Sequence, residues 1–133
     1  MQTMEYYFNT ILKTNFEDAV AKTTEALKTE GFGVITEIDM QAKLKEKLGV
    51  EFKKYKILGA CNPAFAYKAL QAEEKIGTML PCNVLIIDKE NGTTEVAAIN
   101  PIASMMAIPN PALEPLAQEV ADKLKKIIDL LKQ

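Results

Sequence analysis

The chain has 133 residues, enough for one domain with a proper hydrophobic core. Its 48% hydrophobic and 26% charged content is ordinary for a soluble globular protein, and a net charge of −2 with a pI near 5.3 argues against nucleic acid as a partner. With no histidine the commonest general base and zinc ligand are missing, and two cysteines make neither a disulfide framework nor a complete zinc site.

No stretch approaches the roughly 20 apolar residues of a membrane span, and the opening MQTMEYYFNT lacks the basic and apolar regions of a signal peptide. The expected setting is a reducing cytoplasm, with both thiols free and no membrane partner. No metal and no cofactor is implied. A four-cysteine zinc site shared across a dimer is the one such arrangement the composition permits.

Met4–Lys13 is rich in aromatic and β-branched residues and predicts a first strand, with Tyr6, Phe8, Thr10 and Leu12 on one face. Asn15 then caps a helix that carries Glu17 and Asp18 in its first turn and stops at Gly31. Phe32–Ile38 alternates as a second strand, with Phe32, Val34, Thr36 and Ile38 on one side. Asp39 caps a short helix through Leu48, with an apolar face of Met40, Leu44 and Leu48 and a stop at Gly49. Lys43, Lys45 and Lys47 on its other side read as a solvated face.

Tyr55–Cys61 is a third strand, and Asn62-Pro63 starts a helix through about Glu74. Asn accepts a hydrogen bond from a free N–H of the first turn, and Pro at the first helical position leaves no N–H unsatisfied. The dipeptide returns at Asn100-Pro101, opening a short helix around IASMMA, and at Asn110-Pro111, which reads as a turn because Pro115 follows.

Asn83–Asp88 and Thr94–Ile99 flank Asn91-Gly92, a strong hairpin pattern. A two-residue turn puts Asn83 opposite Asn100 but Asp88 against Glu95. A three-residue turn with Gly92 in a bulge puts Cys82 there instead, and the sequence leaves both registers open. Glu114–Leu131 completes the chain with a helix whose seam is Leu113, Ala117, Val120, Leu124, Ile127 and Leu131. Leu116, Ile128 and Leu130 widen that face, which favours packing on the protein's own sheet. Lys123, Lys125 and Lys126 sit toward its C-terminus, where cations offset the helix dipole. The order β-α-β-α-β-α-β-β-α-α predicts a single-domain α+β fold, with helices mainly on one face of a largely antiparallel sheet.

Each cysteine is followed by asparagine, in ILGACNPAF and in LPCNV. If the third and fourth strands are antiparallel, Cys61-Asn62, Cys82-Asn83 and Asn100 share one rim of the sheet. If they are parallel, the cysteines sit at opposite ends. IGTMLP reads as a connector and favours the common rim. Helix N-termini there attract anions and lower the pKa of a nearby thiol, which makes Cys61 the candidate nucleophile. Cys82 leads into VLII and reads as the inert thiol.

The run GFGVITEIDM, LKEKLGV, YKILGACNPAFAYKAL and IGTMLPCNVLII resembles the family known as domain of unknown function 302, over nearly the whole chain. The resemblance implies a compact α+β domain with a sheet like that of TATA-binding-protein-like folds, often homodimeric, and it implies no DNA binding. The family's motif positions fall on Cys61, Asn62, Pro63, Pro81, Cys82 and Asn83. Where relatives often carry Asp-Pro, this chain has Asn100-Pro101, so a role for that Asp as an acid or ligand would not carry over. Three functions follow: a small-ligand or anion-binding module using Cys61, Asn62, Cys82, Asn83 and Asn100; a dimeric scaffold; or a thiol-based redox or sulfur-transfer activity with Cys61 as nucleophile. Glu37 and Asp39 are the only carboxylates near enough to nominate as bases, and they read more simply as a strand residue and a helix cap.

Overall fold

Residues 5–132 are described by a computed structural model, and they follow the strand and helix order read from the sequence. The elements are β1 (Tyr7–Leu12), α1 (Phe16–Thr29), β2 (Gly33–Asp39), α2 (Met40–Leu48), β3 (Tyr55–Cys61), α3 (Pro63–Ala72), β4 (Cys82–Asp88), β5 (Thr94–Ile99), α4 (Pro101–Met105) and α5 (Leu113–Leu131). The strands form one sheet in the order β1-β5-β4-β3-β2, antiparallel throughout. The first strand begins later than its composition suggests, at Tyr7; Met4 lies outside the described residues.

The hairpin takes the three-residue turn. Val84 faces Ala98 and Asp88 faces Thr94, while the Lys89 N–H donates to the Thr93 carbonyl at 3.1 Å around the loop Glu90-Asn91-Gly92. Glu90 (φ 62°) and Gly92 (φ 85°) both take the left-handed conformation this loop requires. The register places Ile87, rather than Asp88, opposite Glu95 and so avoids a like-charge pair.

A second register effect corrects the sequence reading of β2. The pairing with β3 shifts between Val34 and Thr36, so Ile35 is a bulge. Beyond it the faces exchange. Thr36 and Ile38 join the face of Gly59 and Ile57, while Glu37 turns to the face of Leu58 and pairs with Lys56 at 2.7 Å.

One face of the sheet is the core face. Leu12, Leu58, Val84, Ile86 and Val96 are buried there under Ala19 and Leu27 of α1 and Leu124 and Ile127 of α5. Helix α5 therefore packs against its own sheet and α1, although Leu130 stays 56% exposed and does not widen the buried face. Its start at Leu113 puts Pro115 in the first turn, where a missing N–H costs nothing. Helix α2 is capped by Asp39, whose carboxylate accepts from the Ala42 N–H at 3.0 Å, but it buries no residue, and its apolar face ends in Leu48 at 70% exposure. Helix α3 ends at Ala72 because Glu73 is extended, and the connector continues as a 3₁₀ turn over Glu74–Met79.

Candidate functional site

The pairing of β3 with β4 settles the rim. Ala60 lies opposite Cys82, so the end of β3 and the start of β4 are neighbours, and β4–β5 pairing carries the end of β5 to the same rim. Cys61, Asn62 and Cys82 border one cavity of about 240 Å³. Phe32, Ala60 and Cys82 line it from the rim, Phe65, Ala66 and Ala69 of α3 form one wall, and Leu113, Ala117 and Val120 of α5 form the other. Leu80 and Pro81 of the connector and Met105 of α4 complete it. Ile35, the bulged residue, also lines it and is 61% exposed, so the cavity reaches the surface. Among the described residues Asn62 contributes the only side-chain amide to the lining; every other lining side chain ends in carbon or sulfur.

The space comes from small residues at facing positions. Ala66 and Ala69 are three apart on α3, and Ala117 lies across from them on α5. Leucine at these positions would fill the gap. In the sequence Ala117 and Val120 read as part of the packing seam of the last helix, and Phe65, Ala66 and Ala69 as ordinary helix, until the two helices are seen to face each other.

Asn62 occupies the N-cap position of α3, yet its side chain makes no capping hydrogen bond. Its Nδ2 donates instead to the Glu30 carbonyl at 3.2 Å. Gly31 permits this approach: its φ is +83°, and a Cβ there would lie 3.2 Å from Asn62 Nδ2. The Glu30 carboxylate faces Lys126 at 3.6 Å and Lys123 at 3.8 Å. One residue thereby ties the end of α1 to the start of α3 and to α5 beside the cavity.

The thiols differ. Cys61 is half-buried, Cys82 is buried, and both are free. Burial, and secondarily the neighbouring Cys61, pushes the Cys82 thiol up to about 11, so at neutral pH it is protonated and a poor nucleophile. The remaining candidate residues do not line the cavity. Asn83 is exposed on the opposite face of the sheet. Asn100 is 6% exposed and spent on structure: Oδ1 accepts from the Ile102 N–H at 3.1 Å and Nδ2 donates to the Glu5 carbonyl at 3.0 Å. Glu37 and Asp39 are engaged by Lys56 and by the cap of α2.

Among the described residues no group of three or more Cys, Asp or Glu side chains is arranged to hold a metal ion, and no helix is long and apolar enough to cross a membrane. The arrangement therefore offers chemistry of a limited kind: a carbon-lined space with one amide, one half-buried thiol and one buried thiol around it.

An uncharacterised protein of Aquifex aeolicus (strain VF5) is 38% identical over 66 residues, covering 47% of this chain and 45% of that protein. The chain thus matches less than half the length of that relative. The crystal structure of an uncharacterised conserved protein, DUF302, from Bacillus stearothermophilus matches with a TM-score of 0.87 at 29% identity, over 95% of this chain and 98% of the other. The model of the family described as Domain of unknown function DUF302 matches residues 8–131, and the chain belongs to that family.

Proposed function

We propose that the chain is a small-ligand-binding module whose ligand enters the cavity between β3, α3 and α5. The observation that carries this reading is the 240 Å³ of carbon-lined space left by Ala66, Ala69 and Ala117. An open apolar space of this size leaves its lining carbons against water, and a ligand seated in it would shield them. Cys61 and Asn62 stand at its border as the groups that meet the ligand's polar end. The anion reading of the sequence narrows accordingly, because Asn100 is consumed as a buried cap and Asn83 faces away. Toluene tests the reading, since a ligand that binds only the folded state raises the unfolding temperature. Near its solubility limit toluene should raise Tm in the native chain and not in Ala117→Leu or Ala66→Leu, which fill the space. An unmoved Tm in the native chain would refute the cavity as a binding site.

The dimeric scaffold is favoured by a separate observation. α1 and α5 lie on the core face, and the other face presents Ile57, Leu85, Ile87 and Ile99, half-buried, with Ile11 and Ile38 more than 40% exposed. An antiparallel sheet with one solvated face normally turns mostly polar residues outward, and this one sets a row of large aliphatic side chains among Asn9, Thr36, Asn83 and Glu95. The face's acid, Glu95, pairs with Lys89 at 3.3 Å and accepts a hydrogen bond from Asn9 Nδ2 at 2.8 Å, which lowers the cost of drying it. Five strands of about six residues span about 20 Å by 20 Å, so two copies face to face would bury on the order of 1,000 Å², the scale of a specific interface. Sedimentation of the native chain should show a dimer that Leu85→Lys dissociates. A native monomer at micromolar concentration would remove this reading.

A further inference from the structure

The cavity has a direction. Helices α3 and α5 run past each other so that Phe65 and Val120 line one end and Ala69 and Leu113 the other. At the second end the neighbours are apolar: Ile76, Leu80, Met105 and Leu116 pack around Ala69 and Leu113. At the first end the charges collect. Lys68 Nζ stands 5.8 Å from the centre of the Phe65 ring, and Lys123 Nζ, one turn beyond Val120, stands 6.0 Å from it. Lys126 and Glu30 adjoin them, so three ammonium groups are set against one carboxylate. Excess positive charge at one end of a carbon-lined space is the complement of an amphiphile with an anionic head.

We infer that the cavity takes a straight-chain monocarboxylic acid, its tail toward Leu80, Met105 and Leu113 and its carboxylate beside Phe65, Lys68 and Lys123. The inference rests on the ligand-binding reading above and names the class of ligand. Chain length follows from volume. A dry apolar cavity of about 150 Å³ accommodates benzene, or about 25 Å³ per carbon. On that scale the 240 Å³ here holds a tail of about nine or ten carbons. Sugars and nucleotides are excluded by the lining, which offers one amide to pair their hydroxyls and ring nitrogens. A dicarboxylate is excluded because its second charge would lie among Leu80, Met105 and Leu113 without a partner.

The experiment is calorimetric titration of the full chain with decanoate, 1-decanol and butanoate at pH 7 and low salt, alongside the toluene measurement. Decanoate should bind at least tenfold tighter than 1-decanol, with the advantage shrinking as salt is added. Butanoate, lacking six methylenes, should bind about a thousandfold more weakly than decanoate. In Lys123→Met or Lys68→Met the ratio of decanoate to decanol affinity should fall severalfold, and in Lys125→Met it should hold. Decanol binding as tightly as decanoate, or a ratio unmoved in both lysine variants, would overturn the acid assignment while toluene binding keeps the cavity reading. If neither ten-carbon probe binds and toluene is also inert, both fall together.

Discussion

Gly59 is the position where a single methyl group tests how the site is assembled. It lies in β3 opposite Asn83, and a Cβ built there would collide with Thr36 Oγ1 and stand 2.7 Å from Pro81 Cγ. The two obstacles differ in kind. Thr36 is exposed and can rotate away at about 0.5–1.5 kcal/mol. Pro81 is a rigid ring between Leu80 and Cys82, and all three line the cavity, so it yields only if the connector moves. Overpacking of this kind costs about 1–3 kcal/mol, partly offset by the 0.5–1 kcal/mol that alanine gains over glycine in a strand. Gly59→Ala should therefore lose about 1–2 kcal/mol. With a urea m-value of about 1–3 kcal/mol/M, the unfolding midpoint falls by roughly 1 M, read by far-ultraviolet circular dichroism. Adding Thr36→Ala should recover part of the loss and leave the part due to Pro81. A Gly59→Ala chain as stable as the parent would refute the claim that Pro81 is pressed onto β3 by the absence of a side chain.

The asparagines should separate by role: Asn100→Ala, which removes two hydrogen bonds made by a buried side chain, to the Glu5 carbonyl and from the Ile102 N–H, should cost about 2 kcal/mol, and Asn62→Ala, which loses one long bond to Glu30, about 1 kcal/mol. Urea unfolding that ranks them the other way would contradict the assignment of Asn100 as structure. Cys82 gives a pH signature. Its folded pKa is raised from 9.0 to about 11, so the stability it contributes is fully present below pH 9 and is lost as pH rises to about 11. The loss is on the order of 2–3 kcal/mol. Tyr55, also raised by burial, acts in the same direction, so the test is the difference in slope between the native chain and Cys82→Ala over that window. Iodoacetamide at neutral pH should modify Cys61 before Cys82, and bound decanoate should slow it; peptide mass spectrometry showing Cys82 modified first would contradict the burial order.

What was legible in the sequence was local. Helix caps at Asn15 and Asp39, the Gly49 stop and the β4–β5 hairpin all rest on interactions within a few residues, and each is found where the side chains place it. The hairpin register needed one further fact, that a Glu90-Asn91-Gly92 loop keeps Asp88 away from Glu95. The bulge at Ile35 was not legible, because strict alternation through Thr36 and Ile38 is an equally good pattern until β3 fixes the partner. Asn62 and Asn100 carry the same Asn-Pro signature and do different things. Asn100 caps Ile102 locally and also reaches Glu5 across the chain, whereas Asn62 makes no cap and is captured by Glu30. The cavity itself is a property of distant pairs. It exists because Ala66 and Ala69 happen to face Ala117, and no window of sequence contains all three.

The claim that the space between β3, α3 and α5 is a ligand site is tested most directly by methyl-labelled NMR of the chain with and without decanoate. The largest shift changes should fall at Ala69, Met105, Leu113 and Val120, with Leu85 and Ile87 on the open sheet face unmoved. Changes confined to Leu85 and Ile87, or none at all at saturating decanoate, would contradict it.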